Sequence, residues 1–105
     1  MSPKANASLF AALGDETRLA LINKLAKGRP YSIARLTKGS KLTRQAVTKH
    51  LRVLENAGVV RSVRDGSETL FELNPKPFKQ ANEYLNHVSE HWDQALGRLK
   101  VFVET

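Results

Sequence analysis

A set of polar and basic side chains recurs at helical spacing near the middle of the chain. If residues 44–52 are helical, one exposed stripe carries Arg44, Gln45, Thr48, Lys49 and Arg52. An arginine at the start of such a helix can offer a forked pair of donors to guanine, and a glutamine can pair a donor and an acceptor with adenine. The stripe is therefore suited to base edges and phosphates. The candidates for reading bases are Arg44, Gln45, Thr48 and Lys49.

Positive charge is concentrated around this stripe. Residues 35–64 hold eight basic residues and one acid, Glu55, and so carry the +7 net charge of the whole chain. Residues 75–105 hold four residues of each sign. A charged stripe alone is usually a solvated helix face, but this one lies in a window almost free of acids, which favours an anionic partner. The candidates for phosphate or wing contacts are Lys38, Lys41, Thr43, His50, Arg52, Arg61, Arg64 and Ser67, with a packing role equally open for His50.

Composition limits the class of protein. A chain of 105 residues predicts one compact domain, taken as residues 1–105. The lack of cysteine excludes disulfides, thiol catalysis and thiolate metal sites. We find no signal-peptide core, no apolar run near the roughly 20 residues that span a bilayer, and no catalytic grouping. We therefore expect a soluble cytoplasmic protein that is not an enzyme and uses no cofactor.

Four helices are predicted before the first strand. Residues 7–13 and 16–27 carry apolar side chains at helical spacing, with Asp15 as the cap of the second helix and Leu19 among its apolar positions. Ser32 can cap a short third helix that ends at Gly39. Together these helices lead to the one that bears the stripe.

The fourth helix has the best-marked start. Thr43 is an N-cap residue, and Leu42 and Val47 have the spacing of a hydrophobic staple. The buried face then continues through Leu51 and Leu54, opposite the basic stripe. This amphipathic pattern predicts a helix that packs through one face and presents its cations on the other.

Two β-prone runs follow the fourth helix. Residues 59–63 and 69–73 are joined through Asp65-Gly66, a dipeptide that favours tight hairpin turns. The fold class is thus predicted as mainly α with a small β-hairpin, a winged helix-turn-helix with element order α-α-α-α-β-β-α.

A long last helix predicts a dimer. Apolar residues recur every three or four positions from Phe78 to Phe102, and the helix would be roughly 40 Å long. A domain of this size cannot bury such a stripe alone, so we expect a homodimer in which helix one and the last helix meet their partners. The predicted interface comprises Leu9, Phe10, Leu13, Leu85, Val88, Trp92, Leu96, Leu99 and Phe102.

Three stretches carry a family resemblance. Residues 13–19 read LGDETRL, residues 43–54 read TRQAVTKHLRVL and residues 55–60 read ENAGVV. Over nearly its whole length the chain resembles the ArsR/SmtB-type bacterial transcriptional repressors. The resemblance implies a homodimeric winged-helix protein that binds double-stranded DNA at a palindromic operator and represses nearby genes, often including its own.

The resemblance also bears on metals. The family's metal sensors commonly carry a cysteine motif at the start of the third helix, where this chain reads YSIARL. A second family site uses an Asp and a His near the start of the last helix and a His and an acid near its end; Asn74 and Lys76 stand in the first half. The chain therefore resembles the metal-independent, autorepressor-like branch, with an inducer unidentified.

Two alternatives stay open from the sequence. A metal-responsive repressor could use His87, Glu90 and His91 on the last helix, since His87 and Glu90 have the family's spacing. A basic adaptor that binds RNA or protein could have kept the fold without operator recognition.

Overall fold

The computed structural model describes residues 3–104, which form five α-helices and three β-strands. The winged helix-turn-helix architecture predicted from the sequence is confirmed, with one additional short strand before the third helix. In chain order the elements are α1 (Pro3–Leu13), α2 (Glu16–Leu25), β1 (Tyr31–Ser32), α3 (Ile33–Thr37), α4 (Arg44–Asn56), β2 (Val60–Asp65), β3 (Glu68–Leu73) and α5 (Pro75–Glu104).

The predicted capping residues fix where three helices begin. The side chains of Asp15, Ser32 and Thr43 each accept a hydrogen bond from the backbone N–H three residues later, at 3.0–3.1 Å. Such caps satisfy donors that would have no partner in the first turn of a helix. Because Thr43 caps α4, the helix starts at Arg44 and the stripe begins in its first turn.

The core lies under α4. Val47, Leu51 and Leu54 are fully buried, as the sequence predicted. They pack in one cluster with apolar side chains from α2, α3 and the sheet. This contact holds α4 by the face opposite the stripe.

In α2 the assignment of the buried face was partly wrong. Leu21, Ile22 and Leu25 enter the core, whereas Leu19 is 45% exposed. The face that contacts α4 and β3 is centred on residues 21, 22 and 25, which leaves Leu19 at its edge. The apolar period alone did not distinguish Leu19 from Leu21.

The sheet is antiparallel with strand order β1-β3-β2, so the predicted two-stranded wing has a third strand at one edge. Tyr31 of β1 pairs with Phe71 of β3. A strand of two residues is too short to show alternation, which explains why the sequence did not predict it.

The hairpin turn lies one residue later than predicted. Asp65 pairs with Glu68 at the ends of the strands, so the turn residues are Gly66 and Ser67. Gly66 has a φ of 63°, and no residue other than glycine has a positive φ in the part of the chain that the structure describes. A glycine at the first of two turn positions is the pattern of a type II′ turn.

The last helix extends well beyond the core. At 30 residues, α5 is about 45 Å long, and the protein measures 68 × 27 × 23 Å. Ala81 is buried and Phe78 packs against the core, but Leu85, Leu96, Leu99 and Trp92 are 50–63% exposed. One molecule therefore leaves most of the apolar stripe uncovered.

The predicted dimer residues divide into two groups. Leu9 is only 1% exposed and Leu13 packs against the core, so helix one uses these side chains within its own molecule. The assignment of Leu9 to the interface was therefore wrong. Phe10 faces outward with its ring 6.2 Å from that of Tyr84, while Val88 is half-buried. The side chain of Phe102 lies outside the described part of the structure.

Candidate nucleic-acid interface

The surface of α4 presents the predicted stripe. Arg44, Gln45, Lys49 and Arg52 are exposed, and Thr48 is half-buried among them. The hydroxyl of Thr48 donates a hydrogen bond to the backbone carbonyl of Arg44 at 2.7 Å. Its proton is thus used within the helix, which leaves a methyl group and oxygen lone pairs for an external ligand.

A tight connection between α3 and α4 positions the stripe. The backbone N–H of Ser40 donates a hydrogen bond to the backbone carbonyl of Thr37, and the N–H of Leu42 donates one to the Ser40 hydroxyl. Gly39, between α3 and α4, has a φ of 78°. Lys38 and Lys41 are exposed in this turn, beside the start of α4. Both cations therefore flank the end of the helix that carries Arg44 and Gln45.

A cleft joins α4 to the sheet. It is lined by Thr48 and Arg52 of the stripe, together with Ile33, Glu55, Ser62, Thr69 and Phe71. The middle of α4 therefore borders the strands of the wing, and a ligand lying along the stripe would meet the hairpin as well.

The wing carries two arginines with different partners. The Nε of Arg61 donates to Oε1 of Glu72 at 2.8 Å, and the two residues face each other across the strand pair. The Nε of Arg64 donates to the carbonyl of Gly66 at 3.4 Å, next to exposed Ser67 at the turn. Arg64 thus keeps its full charge near the tip, whereas Glu72 partly neutralises Arg61.

The cations of the stripe, and Arg64 of the wing, form no salt bridge with the described carboxylates. Within residues 3–104 no carboxylate lies within salt-bridge distance of Arg44, Lys49, Arg52 or Arg64. Cations without internal partners are free to neutralise phosphates, and the counterions that the nucleic acid then releases contribute a large share of the binding affinity.

His50 lies on the side of α4 that faces the start of α2. The pKa of Asp15 is lowered chiefly by the hydrogen bond from the backbone N–H of Arg18, desolvation opposes this effect, and the charge of Arg18 and the proximity of His50 lower the pKa further. His50 is half-buried there. This position favours the packing role of the two that the sequence left open.

The histidines of α5 are close neighbours. The ring centroids of His87 and His91 are 4.3 Å apart on the exposed face that includes Trp92. Among the residues that the structure describes, no group of three or more His, Asp or Glu side chains could hold a metal ion. Of the helices described within residues 3–104, none combines the length and the hydropathy of a transmembrane span.

A helix-turn-helix whose second helix is followed by a β-hairpin defines the winged helix-turn-helix class of DNA-binding proteins. Residues 15–62 match the family described as "Bacterial regulatory protein, arsR family". An ArsR-like transcriptional regulator from Rhodococcus sp. RHA1 has the same fold, with a TM-score of 0.83 and 32% identity over 92% of this chain and 91% of that one. The chain belongs to the ArsR family of bacterial transcriptional regulators.

Two further proteins are similar to this chain. YuzN of Bacillus subtilis, an uncharacterized HTH-type transcriptional regulator, is 37% identical over 78 residues, covering 69% of this chain and 85% of the relative. A homodimeric winged helix-turn-helix domain from Mycobacterium bovis, Mb0332, has a TM-score of 0.67 at 17% identity and covers 87% of this chain and 84% of its own. The matched family and the relative from B. subtilis are those of transcriptional regulators, so the expectation that the protein is not an enzyme is confirmed.

The Arg61–Glu72 pair leads to a testable difference between the wing arginines. Arg64→Ala should lower the affinity for all duplexes by similar factors. It should also lower the salt dependence of log Kd by about one unit per protomer, because one phosphate contact is lost. Arg61→Ala should have a smaller effect, and Glu72→Gln should strengthen binding to every duplex by freeing Arg61. Fluorescence anisotropy over a salt series measures all three. Equal slopes for both arginine variants, with no gain for Glu72→Gln, would contradict the assignment.

Proposed function

We propose that this protein is a cytoplasmic repressor that acts as a homodimer on an inverted-repeat operator, including one at its own gene. The observation that carries the proposal is the unpaired row of cations on α4, whose opposite face is fully buried. A helix fixed in this way can enter the major groove without disturbing the core.

The proposed contacts divide by chemistry. Arg44 and Gln45 lie in the first turn of α4, the part of a recognition helix that contacts base edges. Thr48 and Lys49 follow one turn later, and Thr48 can offer its methyl group to thymine. The residues assigned to phosphate and wing contacts are Lys38, Lys41, Thr43, Arg52, Arg61, Arg64 and Ser67, which give affinity without sequence information.

The base-reading assignment is tested with a double variant. Arg44→Ala with Gln45→Ala should lower the preference for operator over random duplex by roughly thirtyfold or more, because two bidentate pairs that each discriminate by about 1–3 kcal/mol are lost in every half-site. Both side chains are exposed, so the thermal unfolding temperature should stay nearly constant. Competition binding with operator and random duplexes measures the ratio, and Arg64→Ala is the phosphate-contact control. An equal loss on both duplexes would show that these residues do not read bases.

Dimerisation is proposed through the uncovered stripe of α5 with Phe10 of α1. Trp92, Leu96 and Leu99 are more than half exposed on one molecule, and a contiguous apolar surface of this kind marks an interaction site. The structural neighbour from M. bovis is homodimeric. Two-fold pairing would present two α4 helices about one DNA turn apart.

A matched pair of charge substitutions tests this interface. Leu99→Glu should raise the dimer dissociation constant about a hundredfold or more, because each of the two copies loses an apolar burial of about 1.5–3 kcal/mol. Gln94→Glu introduces the same charge on the same helix, at an exposed position outside the apolar row of α5, and should leave the dimer intact. Sedimentation equilibrium at micromolar concentration measures the dimer dissociation constant of both variants. A monomeric wild type, or equal behaviour of both variants, would remove the proposed interface.

Operator binding is proposed to be independent of metal. Asn74 stands where the family's metal sites use a carboxylate, and both ends of its amide are engaged. Its Nδ2 donates to the carbonyl of Gly58 at 3.2 Å, and its Oδ1 accepts from the N–H of Lys76 at 3.3 Å. These two hydrogen bonds at the start of α5 favour a structural role for Asn74 over metal binding.

Zinc addition tests metal independence. One equivalent of zinc per protomer should change the operator Kd by less than about twofold, because half of the ligand set has no counterpart in this chain. Operator titrations with zinc and with a chelator provide the measurement. A tenfold shift that is lost in His87→Ala would favour the metal-responsive alternative built on His87, Glu90 and His91.

A further inference from the structure

We propose that Arg29 and Arg35, both held against the ring of Tyr31, form a second phosphate-binding site that extends the DNA contact beyond the recognition helix and the wing. This inference rests on the proposed function, since the phosphate is that of the operator backbone. Arg29 precedes β1 and Arg35 lies in α3. Neither segment contributes a residue to the wing contacts proposed above.

The ring of Tyr31 organises the two arginines. The guanidinium carbon of Arg29 lies 6.0 Å from the ring centroid, and that of Arg35 lies 5.1 Å from it. Tyr31 is 8% exposed and belongs to the core, whereas both arginines are exposed. A fixed ring that attracts two long cationic side chains limits their freedom before any ligand binds, which lowers the cost of ordering them in a complex.

The charges of the pair are not balanced within the molecule. By the sum of the two distances the guanidinium carbons are no more than about 11 Å apart. No salt bridge involves either arginine in the range that the structure covers, residues 3–104. Two like charges gathered on one ring repel each other, and an anion that hydrogen-bonds to both relieves this repulsion. The planar fork of an arginine matches the oxygens of a phosphate.

The position of the pair favours the backbone of bound DNA over a free anion. Tyr31 pairs with Phe71, and Phe71 lines the cleft that contains Thr48 and Arg52. Neighbouring strands are about 4.8 Å apart, so the arginines lie roughly 10–15 Å from that cleft. A DNA strand carries a phosphate about every 3.4 Å along the axis, and a few nucleotides therefore span this distance. The arginines thus lie on the β1 side of the cleft whose lining includes Thr48 and Arg52 of α4.

A site of this kind supplies affinity rather than sequence preference. Its donors would meet phosphate oxygens, which are the same at every base pair. The pair should therefore act equally on operator and on random duplex, in contrast to the residues assigned to base reading.

The experiment uses the full-length protein with Arg29→Ala and Arg35→Ala combined. If both arginines share one phosphate, the salt dependence of log Kd should fall by about one unit per protomer, and the affinity for operator and random duplex should fall by similar factors of roughly ten. The control combines Lys4→Ala with Lys79→Ala, which removes the same charge from exposed positions on α1 and α5 that belong to neither proposed contact surface. The control should leave the slope within experimental error of the wild type.

Five outcomes decide the proposal. A lower slope in the arginine variant, with an unchanged unfolding temperature, supports the site. An unchanged slope, or a slope that falls equally in the lysine control, overturns it. Loss of affinity for single-stranded RNA without loss for duplex DNA overturns it as well. If the wild type prefers no duplex over another while the arginine variant still shows the lower slope, the operator function fails and the phosphate site stands.

Discussion

The burial of one face of α4 determines how the positive surface is presented. Val47, Leu51 and Leu54 are fully enclosed, and each such side chain stabilises the fold by about 1.5–3 kcal/mol. A rotation of the helix that turned the stripe inward would expose these side chains and bury unpaired cations, which costs several kcal/mol for each charge. The core thus fixes the orientation of α4, and the charged side chains remain free to contact an external partner.

The distribution of acids has the same consequence. A protein with many positive charges ordinarily neutralises part of them in salt bridges, and here the described ion pair lies in the wing, between Arg61 and Glu72. The cations of α4 have no such partner. Their mutual repulsion costs stability in the free protein, and a polyanion removes that cost. An exposed helix of this composition is therefore better explained by binding than by folding.

Much of this arrangement follows from short-range sequence signals. The caps at Asp15, Ser32 and Thr43 act over three residues, and the 3.6-residue period of α4 separates its buried face from its basic face. These features could be predicted because they depend on local chemistry alone. The family resemblance independently indicated the same architecture.

Other features depend on tertiary contacts that no local pattern encodes. Strand β1 has two residues and exists because it pairs with β3. The choice between Leu9 and Phe10 for the core, and between Leu19 and Leu21, depends on how α1 and α2 pack. The association of Arg29 and Arg35 with Tyr31 likewise requires the turn from β1 into α3. A tyrosine between two arginines in the sequence was the signal that could have indicated it.

Recognition of an inverted repeat requires that a paired scaffold present the fixed recognition helix twice. Selection of bound sequences from a random duplex library, with the full-length protein, tests this most directly. We expect an enriched inverted repeat whose half-site centres are separated by about 10 base pairs. Enrichment of a single half-site would contradict the paired presentation, and enrichment of no sequence, as expected for an RNA- or protein-binding adaptor, would contradict operator recognition itself.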